Sequence, residues 1–385
     1  MASKKVLIFS LAYHPHYGGA ELAVREITNR IDHQKFEFHM VTVDFGDKLP
    51  KTEKIGNILV HRIGIFPVPK LNKIFFQFFA PLKAHFLHKK YHYDAIWAMM
   101  PHSTGIPSVL FNLMHGDVPY FLTLQEGDTL QGIKKSLGIF VPLYAFSFRR
   151  ANLVQTISHH LKDMAREMGY EGEVHVVPNG ANIEDFRFKI LDLRLEELKR
   201  KLGIQNQDKI LITTSRLVAK NAVDDIIKSL KYLPDTTHLL VLGVGPDEKI
   251  LKKFAQDERV SERVHFLGFI ESKKIPIYLQ ISDVFVRPSL SEGMGSSFVE
   301  AMAAGIPVVG TAVGGITDFL QHHETGFICE VKNSKSIAEQ VRFIVDPQNE
   351  DAVTHIVQNA YDTVVQNHDW NKISHTMENL FEKLT

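Results

Sequence analysis

The sequence predicts an α/β protein built from two doubly wound parallel sheets, and three observations lead to that prediction. The chain has 385 residues, which is more than one hydrophobic core usually organises. Short apolar runs typical of strands alternate with helical patterns, and this alternation predicts parallel sheets covered by helices on both faces. The alternation passes a turn at 178–180 and begins again, so we expect two Rossmann-like domains that face a cleft.

In the first half, strands are predicted from apolar, β-branched runs that have turn residues on either side. The predicted strands cover residues 6–11, 38–43, 58–62, 95–98, 120–123, 153–156 and 174–177. Helical spacing predicts helices at 20–29, 72–89 and 159–168. Pro81 falls inside the second of these helices and argues against one uninterrupted helix there.

The second half repeats the pattern after a polar helix predicted at 192–202. Its predicted strands cover residues 209–214, 238–242, 264–267, 283–286, 308–310 and 326–329. The boundary is placed near 186–193, which gives domains of 1–187 and 188–367. The final segment, 368–385, has apolar residues at helical spacing and predicts an amphipathic helix.

Composition and charge narrow the class of protein. With 44% hydrophobic and 23% charged residues, the chain is ordinary for a soluble globular protein, and no apolar run reaches the roughly 18 residues of a membrane-spanning helix. Cys329 is the only cysteine, so no internal disulfide can form. The net charge is zero, and residues 1–187 carry 21 Lys and Arg against 17 Asp and Glu. That excess is too small to predict nucleic acid as a partner. The apolar start of the chain lacks a cleavage site before His14, so it predicts a first strand rather than a secretion signal.

The stretch 288–315 carries the strongest functional signal. Glu292 and Glu300 lie eight positions apart. Between them is a small-residue turn that includes Gly295, Ser296 and Ser297. Glycine lets a backbone approach a diphosphate closely, and the helix that follows offers amide N–H groups and the positive end of its dipole. One carboxylate would then hold a sugar hydroxyl and the other a ribose. Ser297 and Glu300 fit a helix capping box equally well, which is the structural alternative.

Two cations follow the first strand of the second half. Arg216 and Lys220 come directly after the strand predicted at 209–214. At the carboxyl end of a strand, an Arg fork and a Lys point charge can hold a diphosphate. The alternative is a solvated loop in which Asn221 caps the next helix.

Glycine loops follow two other strands. Gly18 and Gly19 come after the first strand and lead into a helix, where their amides could contact a phosphate. Gly243 and Gly245 follow the strand at 238–242, but the third glycine and the acid of a dinucleotide fingerprint are missing. Tight turns explain both loops equally well, and we expect Gly245 to line the ligand cleft.

Polar residues after the strands at 95–98 and 120–123 are weaker candidates. His102, Gln125 and Glu126 could face the cleft where an acceptor binds. Glu126 and Asp128 resemble an acid-x-acid metal motif that belongs to a transferase architecture with one nucleotide-binding domain, so we expect no metal here. The 20 histidines form no zinc spacing.

The segment from Phe66 to Tyr93 contains six Phe, five Lys and no acidic residue. Phe rings surrounded by lysines are typical of a bilayer interface. A second stretch, 134–150, has a similar composition. An anionic membrane surface is therefore a candidate partner, and the alternative is ordinary packing of helices against the sheet.

Taken together, these motifs resemble the retaining family 4 glycosyltransferases of the GT-B class. The resemblance covers nearly the whole chain. It is carried by Gly18-Gly19-Ala20-Glu21, by the segment 151–158, by Val177-Pro178-Asn179-Gly180, by Arg216 with Lys220, and most densely by 264–315. The pair of glutamates and the following EAMAAGIPVV helix are its most specific part.

The resemblance implies a retaining transfer of a sugar from a nucleotide-diphosphate sugar to a glycan or lipid-linked acceptor, in cell-surface polysaccharide or glycolipid synthesis. By this resemblance the second domain binds the donor, the first binds the acceptor, and the helix at 368–385 crosses back onto the first. Arg216 and Lys220 would neutralise the diphosphate, Glu292 would contact the sugar and Glu300 the ribose. No metal or other cofactor is implied, and the expected location is the cytoplasm, with peripheral contact to the inner membrane face.

The chain departs from the family pattern at several positions. Gln125-Glu126 stands where His-Gly is frequent, which leaves a histidine role there in doubt. Asn221 stands where a lysine is common, with Lys220 one position earlier, and Asn182 replaces a frequent Asp. The alternatives are a GT-B nucleotide-sugar epimerase or phosphorylase, or a non-catalytic nucleotide-sugar-binding protein.

Overall fold

The computed structural model describes residues 3–16, 18–64, 69–187 and 192–385. It divides into two compact units, one formed by Met1–Asn179 with Trp370–Thr385 and the other by Gly180–Asp369. The sequence predicts boundaries at 187/188 and 367/368, and residues 188–191 lie outside the described part of the chain. Both units are built around a parallel sheet with helices, so the predicted α/β class is confirmed.

Within the described residues, the first unit contains an eight-stranded sheet. Its strands are β1 (Lys4–Phe9), β2 (Phe36–Val43), β3 (Thr52–Ile55), β4 (Ile58–Ile63), β5 (Ala95–Met99), β6 (Tyr120–Leu124), β7 (Leu153–Thr156) and β8 (Val174–Val176). Their order is β3-β4-β2-β1-β5-β6-β7-β8. The sequence missed β3, a short edge strand that pairs antiparallel with β4 and has no fully buried residue to mark it.

Helices cover both faces of this sheet. They are α1 (Gly19–Arg30), α2 (Pro69–Tyr91), α3 (Pro101–Met114), α4 (Leu130–Leu137), α5 (Val141–Arg150) and α6 (His159–Glu167). The expectation that Pro81 interrupts α2 is wrong, because the helix runs through it. The buried face of α2, which includes Phe76, Ala80 and Ala84, packs against α3, β2 and β4. This packing offsets the loss of the backbone hydrogen bond that a proline cannot donate.

The second unit contains a six-stranded parallel sheet in its described residues. The strands are β9 (Lys209–Thr214), β10 (Thr237–Leu242), β11 (Val264–Gly268), β12 (Val284–Arg287), β13 (Val308–Gly310) and β14 (Phe327–Ile328), in the order β11-β10-β9-β12-β13-β14. The helices are α7 (Ile183–Arg187), α8 (Asp192–Lys201), α9 (Val223–Ser229), α10 (Glu248–Asp257), α11 (Ile275–Gln280), α12 (Ser296–Ala303), α13 (Ser334–Val345) and α14 (Glu350–Asn367).

The last helix, α15 (Trp370–Leu384), belongs to the first unit. It packs beside α1, and its fully buried Phe381 contacts the aromatic side chains of Phe36, Phe38 and Trp97 on the sheet. The apolar spacing of this segment in the sequence therefore reflects a face buried in the core of the first unit. Among the described residues, no helix combines the length and the apolar character required to cross a bilayer.

Candidate functional site

The candidate site in the second unit lies at the carboxyl ends of β9 and β12. The chain builds outward from β9 through β10 to β11 and then returns to the other side of β9 with β12. In open α/β sheets, such a reversal of strand order leaves a crevice where ligands bind. The segments predicted to carry chemistry, 215–221 after β9 and 288–297 after β12, both leave the sheet at this reversal.

The loop after β9 presents an exposed Arg216 on a backbone that its neighbours hold in place. Asn221 is buried, and its Nδ2 donates to the carbonyl of Arg216 at 2.6 Å. The N–H of Leu217 donates to the carbonyl of Val244, in the loop after β10, at 3.1 Å. Lys220 lies on the same loop and is half-buried. Both predicted cations are therefore carried by one ordered loop at the strand end.

An ion pair that the sequence did not predict holds Glu292. Its Oε2 accepts a hydrogen bond from Arg287 at 2.6 Å, and the two side chains are only 11% and 12% exposed. Arg287 is the last residue of β12. Its guanidinium also donates to Ser297 at 2.7 Å, Ser289 at 3.3 Å and Asn221 at 3.4 Å. One guanidinium thus connects Glu292 to both loops and to the start of α12.

The loop after β12 is tied to the segments on both sides of it. The Thr311 hydroxyl, just after β13, donates to the Ser289 carbonyl at 2.6 Å. On the β9 side, the Leu290 N–H donates to the Lys220 carbonyl at 2.7 Å. This backbone bond joins the two loops that carry the predicted functional residues, so they form one surface of the second unit.

Two glycines let this backbone pack closely on itself. A Cβ atom added to Gly314, which has φ +54°, would lie 1.9 Å from the Glu292 carbonyl oxygen. A side chain on Gly295, with φ +91°, would lie 2.9 Å from the Phe298 ring. Both residues adopt the left-handed region in which other side chains are strained. Local folding alone therefore requires Gly295, and its predicted donor contact stays a prediction.

α12 begins directly after Gly295, which is its N-cap. Ser296 and Ser297 occupy the first two helical positions, where backbone amides have no partner within the helix. The Ser297 hydroxyl accepts a bond from Arg287. A capping box would need Ser297 to be the N-cap itself, so the capping interpretation of Ser297 and Glu300 is wrong.

Glu300 lies in the second turn of α12 and is partly buried. Loss of solvation raises the pKa of its carboxyl to about 7, and the nearby Arg287 opposes part of that rise. Such a carboxyl changes its charge around neutral pH. Shifted pKa values of this kind concentrate at functional sites.

Gly245 has a structural explanation. A side chain there would lie 2.1 Å from the Leu217 carbonyl oxygen, and one on Gly243 would lie 1.9 Å from the Ser215 carbonyl oxygen. Both glycines therefore let the loop after β10 pack directly on the loop that carries Arg216. The loop after β10 therefore holds the Arg216 loop in place. The predicted donor contact of Gly245 stays a prediction.

In the first unit, Gly18 and Gly19 follow β1, beside the point where the strand order reverses between β1 and β5. Gly18 is the N-cap of α1, and its N–H donates to Oε2 of Glu21 at 2.7 Å. A side chain on Gly19 would meet no described atom within 4 Å. Capping thus accounts for Gly18, while the backbone at Gly19 is open to close approach by a ligand.

The carboxyl ends of β5 and β6 bring His102 and Glu126 together. Nδ1 of His102 lies 3.2 Å from Oε1 of Glu126, a carboxylate that is only 1% exposed. The N–H of Gln125 donates to Oε2 of Glu126 at 3.0 Å, and the Gln125 side chain accepts a bond from Asn179 at 3.0 Å. Met100, which precedes the turn into α3, has the left-handed φ of 59° that non-glycine residues rarely adopt. The three acceptor candidates therefore form one ordered polar group at this sheet edge.

The structure also places the residues of the acid-x-acid motif. Glu126 is engaged with His102, as described, and Asp128 follows in the loop before α4. Across the described ranges, no group of three or more His, Cys, Asp or Glu side chains is arranged to hold a metal ion. The expected metal independence of the reaction remains a prediction.

The outward face of α2 is apolar. Five residues on it recur at spacings of three or four and have exposed fractions between 45% and 66%: Leu71, Ile74, Phe78, Leu82 and Phe86. Lys73, Lys89 and Lys90 are exposed on the same helix, and Lys83 is half-buried. Phe66 and the side chain of Lys70, which belong to the predicted membrane segment, lie outside the described residues. Part of the aromatic content of this segment therefore faces outward rather than into the core.

The second predicted patch, 134–150, forms α4, a short 3-10 turn and α5. Ile139 in the turn is 88% exposed, and Phe140 is 46% exposed. Lys134 pairs with Glu167 at 2.8 Å, and Arg150 donates to Asn112. The apolar tip is therefore open, while two of the cations that accompany it are engaged within the protein.

No sequence motif singles out Arg287 or the buried position of Asn221. The one signal that could have found Arg287 is its place, a cation at the last position of an apolar strand and directly before the loop of Glu292. The sequence predicts Asn221 as a departure from the family pattern or as a helix cap, but Ala222 is the N-cap of α9 and the Asn221 side chain instead contacts Arg216 and Arg287.

Two models of known protein families match the chain, one mainly in each unit. The family model described as Glycosyltransferase Family 4 matches residues 17–185, and the model described as Glycosyl transferases group 1 matches residues 195–363. The two matches leave residues 186–194 between them.

Among similar proteins are two synthases. N-acetyl-alpha-D-glucosaminyl L-malate synthase of Bacillus anthracis is 26% identical over 351 residues, which cover 87% of this chain and 86% of that protein. Alpha-monoglucosyldiacylglycerol synthase of Acholeplasma laidlawii is 24% identical over 332 residues, which cover 79% of each chain.

Solved structures share the fold over nearly the whole chain. Sucrose-phosphate synthase of Thermosynechococcus elongatus aligns with a TM-score of 0.84 at 18% identity and covers 99% of both chains. HepE of Anabaena, solved in complex with UDP and glucose, aligns with a TM-score of 0.79 at 21% identity and covers 99% of this chain and 100% of that one.

The family models account for the two units separately, and the solved structures reproduce the fold of both. The motifs that carried the resemblance in the sequence lie at the strand ends where such sheets bind ligands. The chain accordingly belongs to glycosyltransferase family 4 and has the two Rossmann-like domains of the GT-B fold.

Proposed function

We propose that this glycosyltransferase moves a sugar, with retention of its anomeric configuration, from a nucleotide-diphosphate sugar to a lipid-linked or glycan acceptor. The observation that carries the proposal is the joined surface at β9 and β12. There, Arg216 and Lys220 lie on one loop, and Glu292 and the start of α12 lie on the next. Cations, helix amides and a fixed carboxylate match the chemistry of a diphosphate attached to a sugar.

The donor binds with its diphosphate toward Arg216, Lys220 and the first amides of α12. Glu292 accepts hydrogen bonds from sugar hydroxyls, and Glu300 does so from the ribose. These groups are positioned before the reaction begins, so they stabilise the departing charge without having to reorganise. UDP is the nucleotide we favour, because HepE was solved with UDP and with UDP-glucose.

The transfer takes place on one face of the sugar. The bond between the anomeric carbon and the diphosphate oxygen breaks, and its electron pair stays with that oxygen. The acceptor oxygen bonds to the anomeric carbon from the same face, and its proton passes to the departing phosphate oxygen. No separate protein base is required. Retention is supported by the names of two relatives, which describe α-linked products, since common glucose-type nucleotide donors are α-linked as well.

A lipid-linked acceptor is supported by α2 in the first unit. Its outward row of Leu, Ile and Phe side chains is apolar and is accompanied by lysines. Such a face is typical of helices that lie in a bilayer interface. The relative from Acholeplasma laidlawii is named for a glucosylated diacylglycerol product. We therefore place the reaction in glycolipid or cell-surface polysaccharide synthesis.

A donor panel tests the proposed function. The protein is incubated with UDP-, GDP- and ADP-sugars, with and without acceptors of both classes, namely phospholipid vesicles that contain diacylglycerol and a set of oligosaccharides. Released nucleoside diphosphate is quantified by chromatography. We expect release that depends on both one donor and the acceptor, with an α product identified by NMR. A β product from an α donor would refute retention. A donor sugar changed without acceptor would indicate an epimerase, and a folded protein that binds donors without turnover would indicate a non-catalytic role.

A further inference from the structure

Arg287 is a mostly buried cation whose contacts all belong to the candidate donor site. Its two shorter hydrogen bonds go to Glu292 at 2.6 Å and to Ser297 at 2.7 Å. Two longer ones go to Ser289 at 3.3 Å and Asn221 at 3.4 Å. These partners come from three segments, namely the loop after β9, the loop after β12 and the start of α12. Only the planar fork of an arginine, with its five N–H donors, reaches so many acceptors at fixed angles.

The ion pair between Arg287 and Glu292 is not explained well by stability alone. Both side chains are close to nine-tenths buried, and removing two charges from water can cost as much as their attraction returns. A buried ion pair of this kind is therefore weak evidence that it stabilises the fold. What the pair does directly is hold the Glu292 carboxylate in one position. That carboxylate is the one we expect to contact the donor sugar.

Asn221 fits the same arrangement. It is 2% exposed. Its Nδ2 donates to the carbonyl of Arg216 while its Oδ1 accepts from Arg287. A lysine at this position would place a second cation against the guanidinium. The short neutral amide instead connects the loop of Arg216 to Arg287.

We infer that Arg287 is a positioning residue, which holds the Glu292 carboxylate toward the donor sugar. This inference rests on the proposed function and deepens it. The guanidinium acts through Glu292, because its shortest hydrogen bond, at 2.6 Å, goes to that carboxylate. Its loss should therefore slow the transfer step more than it weakens binding of the nucleoside diphosphate, which lacks the sugar.

The test compares Arg287→Gln, Arg287→Lys and the matched control Arg263→Gln. Arg263 is 13% exposed in the same unit and donates to the carbonyls of Pro234 and Leu230, away from the site. We expect Arg287→Gln to lower kcat about 100-fold, since small misplacements of reacting groups have effects of that size. Affinity for the nucleoside diphosphate should change less than about threefold. Arg287→Lys, which keeps the charge and loses the fork, should be intermediate, and Arg263→Gln should keep the wild-type kcat.

A double-mutant cycle with Glu292→Gln separates positioning from a general structural role. If Arg287 acts through Glu292, then Arg287→Gln should lower kcat much less in the Glu292→Gln background than in the wild type. Additive effects, or a kcat of Arg287→Gln within about threefold of wild type, would overturn the inference. Should Arg287→Gln fail to fold, the same cycle is run with Arg287→Lys. A wild-type protein without turnover on any donor would refute the proposed function instead, and that result is known before any variant is compared.

Discussion

Glu300 is a carboxyl whose proton equilibrium depends on its place in α12. Burial raises its pKa from the ordinary 4.5 to about 7, while Arg287 partly opposes the rise. In the proposed site the ribose hydroxyls donate to this carboxyl, and they prefer its ionised form as their acceptor. Binding of the donor should therefore lower the pKa and release a proton.

We expect the affinity for the intact donor to increase with pH between about 6 and 8, together with proton release near pH 7. Calorimetry in two buffers with different ionisation enthalpies measures that release. The intact donor is the right probe, because free nucleoside diphosphate titrates in the same range. Glu300→Gln should bind the donor more weakly and release no proton. Unchanged affinity in this variant would remove Glu300 from the donor site.

The same pKa shift predicts how stability depends on pH. The folded protein holds the Glu300 proton more tightly than the unfolded chain, whose carboxyl has the ordinary value of 4.5. The stabilising contribution is therefore fully present below about pH 4.5 and is lost as pH rises through about 7. The melting temperature of Glu300→Gln, relative to wild type, should consequently be higher at about pH 8 than at about pH 5. A constant difference across this range would contradict the raised pKa.

Arg216 and Lys220 are the cations that should stabilise the departing diphosphate. Removing one preorganised donor to a developing negative charge typically lowers the rate about 10² to 10³-fold. We expect Arg216→Ala, whose side chain is exposed, to show this loss of kcat with an unchanged melting temperature. Lys220→Ala should behave similarly, and Lys249→Ala on the exposed face of α10 is the control. Near-normal turnover of either site variant would remove that residue from the diphosphate site.

At the scale of elements, variants of α2 test whether this helix binds an anionic membrane surface. We expect the wild-type protein to sediment with vesicles that contain phosphatidylglycerol at low salt, and less so as salt screens the lysines. Each lysine near an anionic surface contributes about 1 kcal/mol, so changing Lys73, Lys83, Lys89 and Lys90 to Gln should abolish sedimentation. Phe78→Ser with Phe86→Ser should weaken it at every salt concentration, because the rings would no longer enter the interface.

The second unit supplies matched controls for α2. Ile250 on α10 is 67% exposed, nearly the same fraction as Phe86, and three lysines lie on the same helix. Ile250→Ser and the Gln variants of Lys249, Lys252 and Lys253 should sediment like the wild type. If the wild type stays in the supernatant with anionic vesicles at low salt, α2 is an ordinary surface helix. A water-soluble acceptor then becomes the better hypothesis.

The elements also show how far the sequence can predict this fold. Strands such as β7 and β9 have the predicted bounds, because buried parallel strands are short runs of apolar and β-branched residues with little ambiguity. The continuous path of α2 through Pro81 could not be predicted, since tertiary packing decides whether a helix tolerates a proline. Ser297 and Glu300 matched a capping pattern, yet Gly295 ends the preceding loop in a left-handed conformation and the helix begins before the expected cap.

For the whole molecule, the predictable part of the site is the part that lies in contiguous motifs. Glu292, Ser297 and Arg216 could be predicted as site residues, because strand ends followed by glycine, serine and charged residues indicate ligand loops. Arg287 and Asn221 could not be, because their importance depends on the adjacency of β9 and β12, strands separated by more than 60 residues in the chain. Pairing of strands that are distant in sequence is a property of topology, which no local pattern encodes.

The last prediction concerns the reaction of the intact protein. The proposed site offsets the charge of the departing diphosphate with protein cations and helix amides, so we expect turnover to persist in excess EDTA. The acid-x-acid residues lie in the first unit, where Glu126 is buried and bonded to His102, a geometry suited to an internal pair. Nucleoside diphosphate release is measured directly by chromatography, which avoids metal-dependent coupling enzymes. Complete loss of turnover in EDTA, restored by magnesium or manganese, would contradict this prediction. It would also make Glu126→Gln and Asp128→Asn the next variants to test as metal ligands.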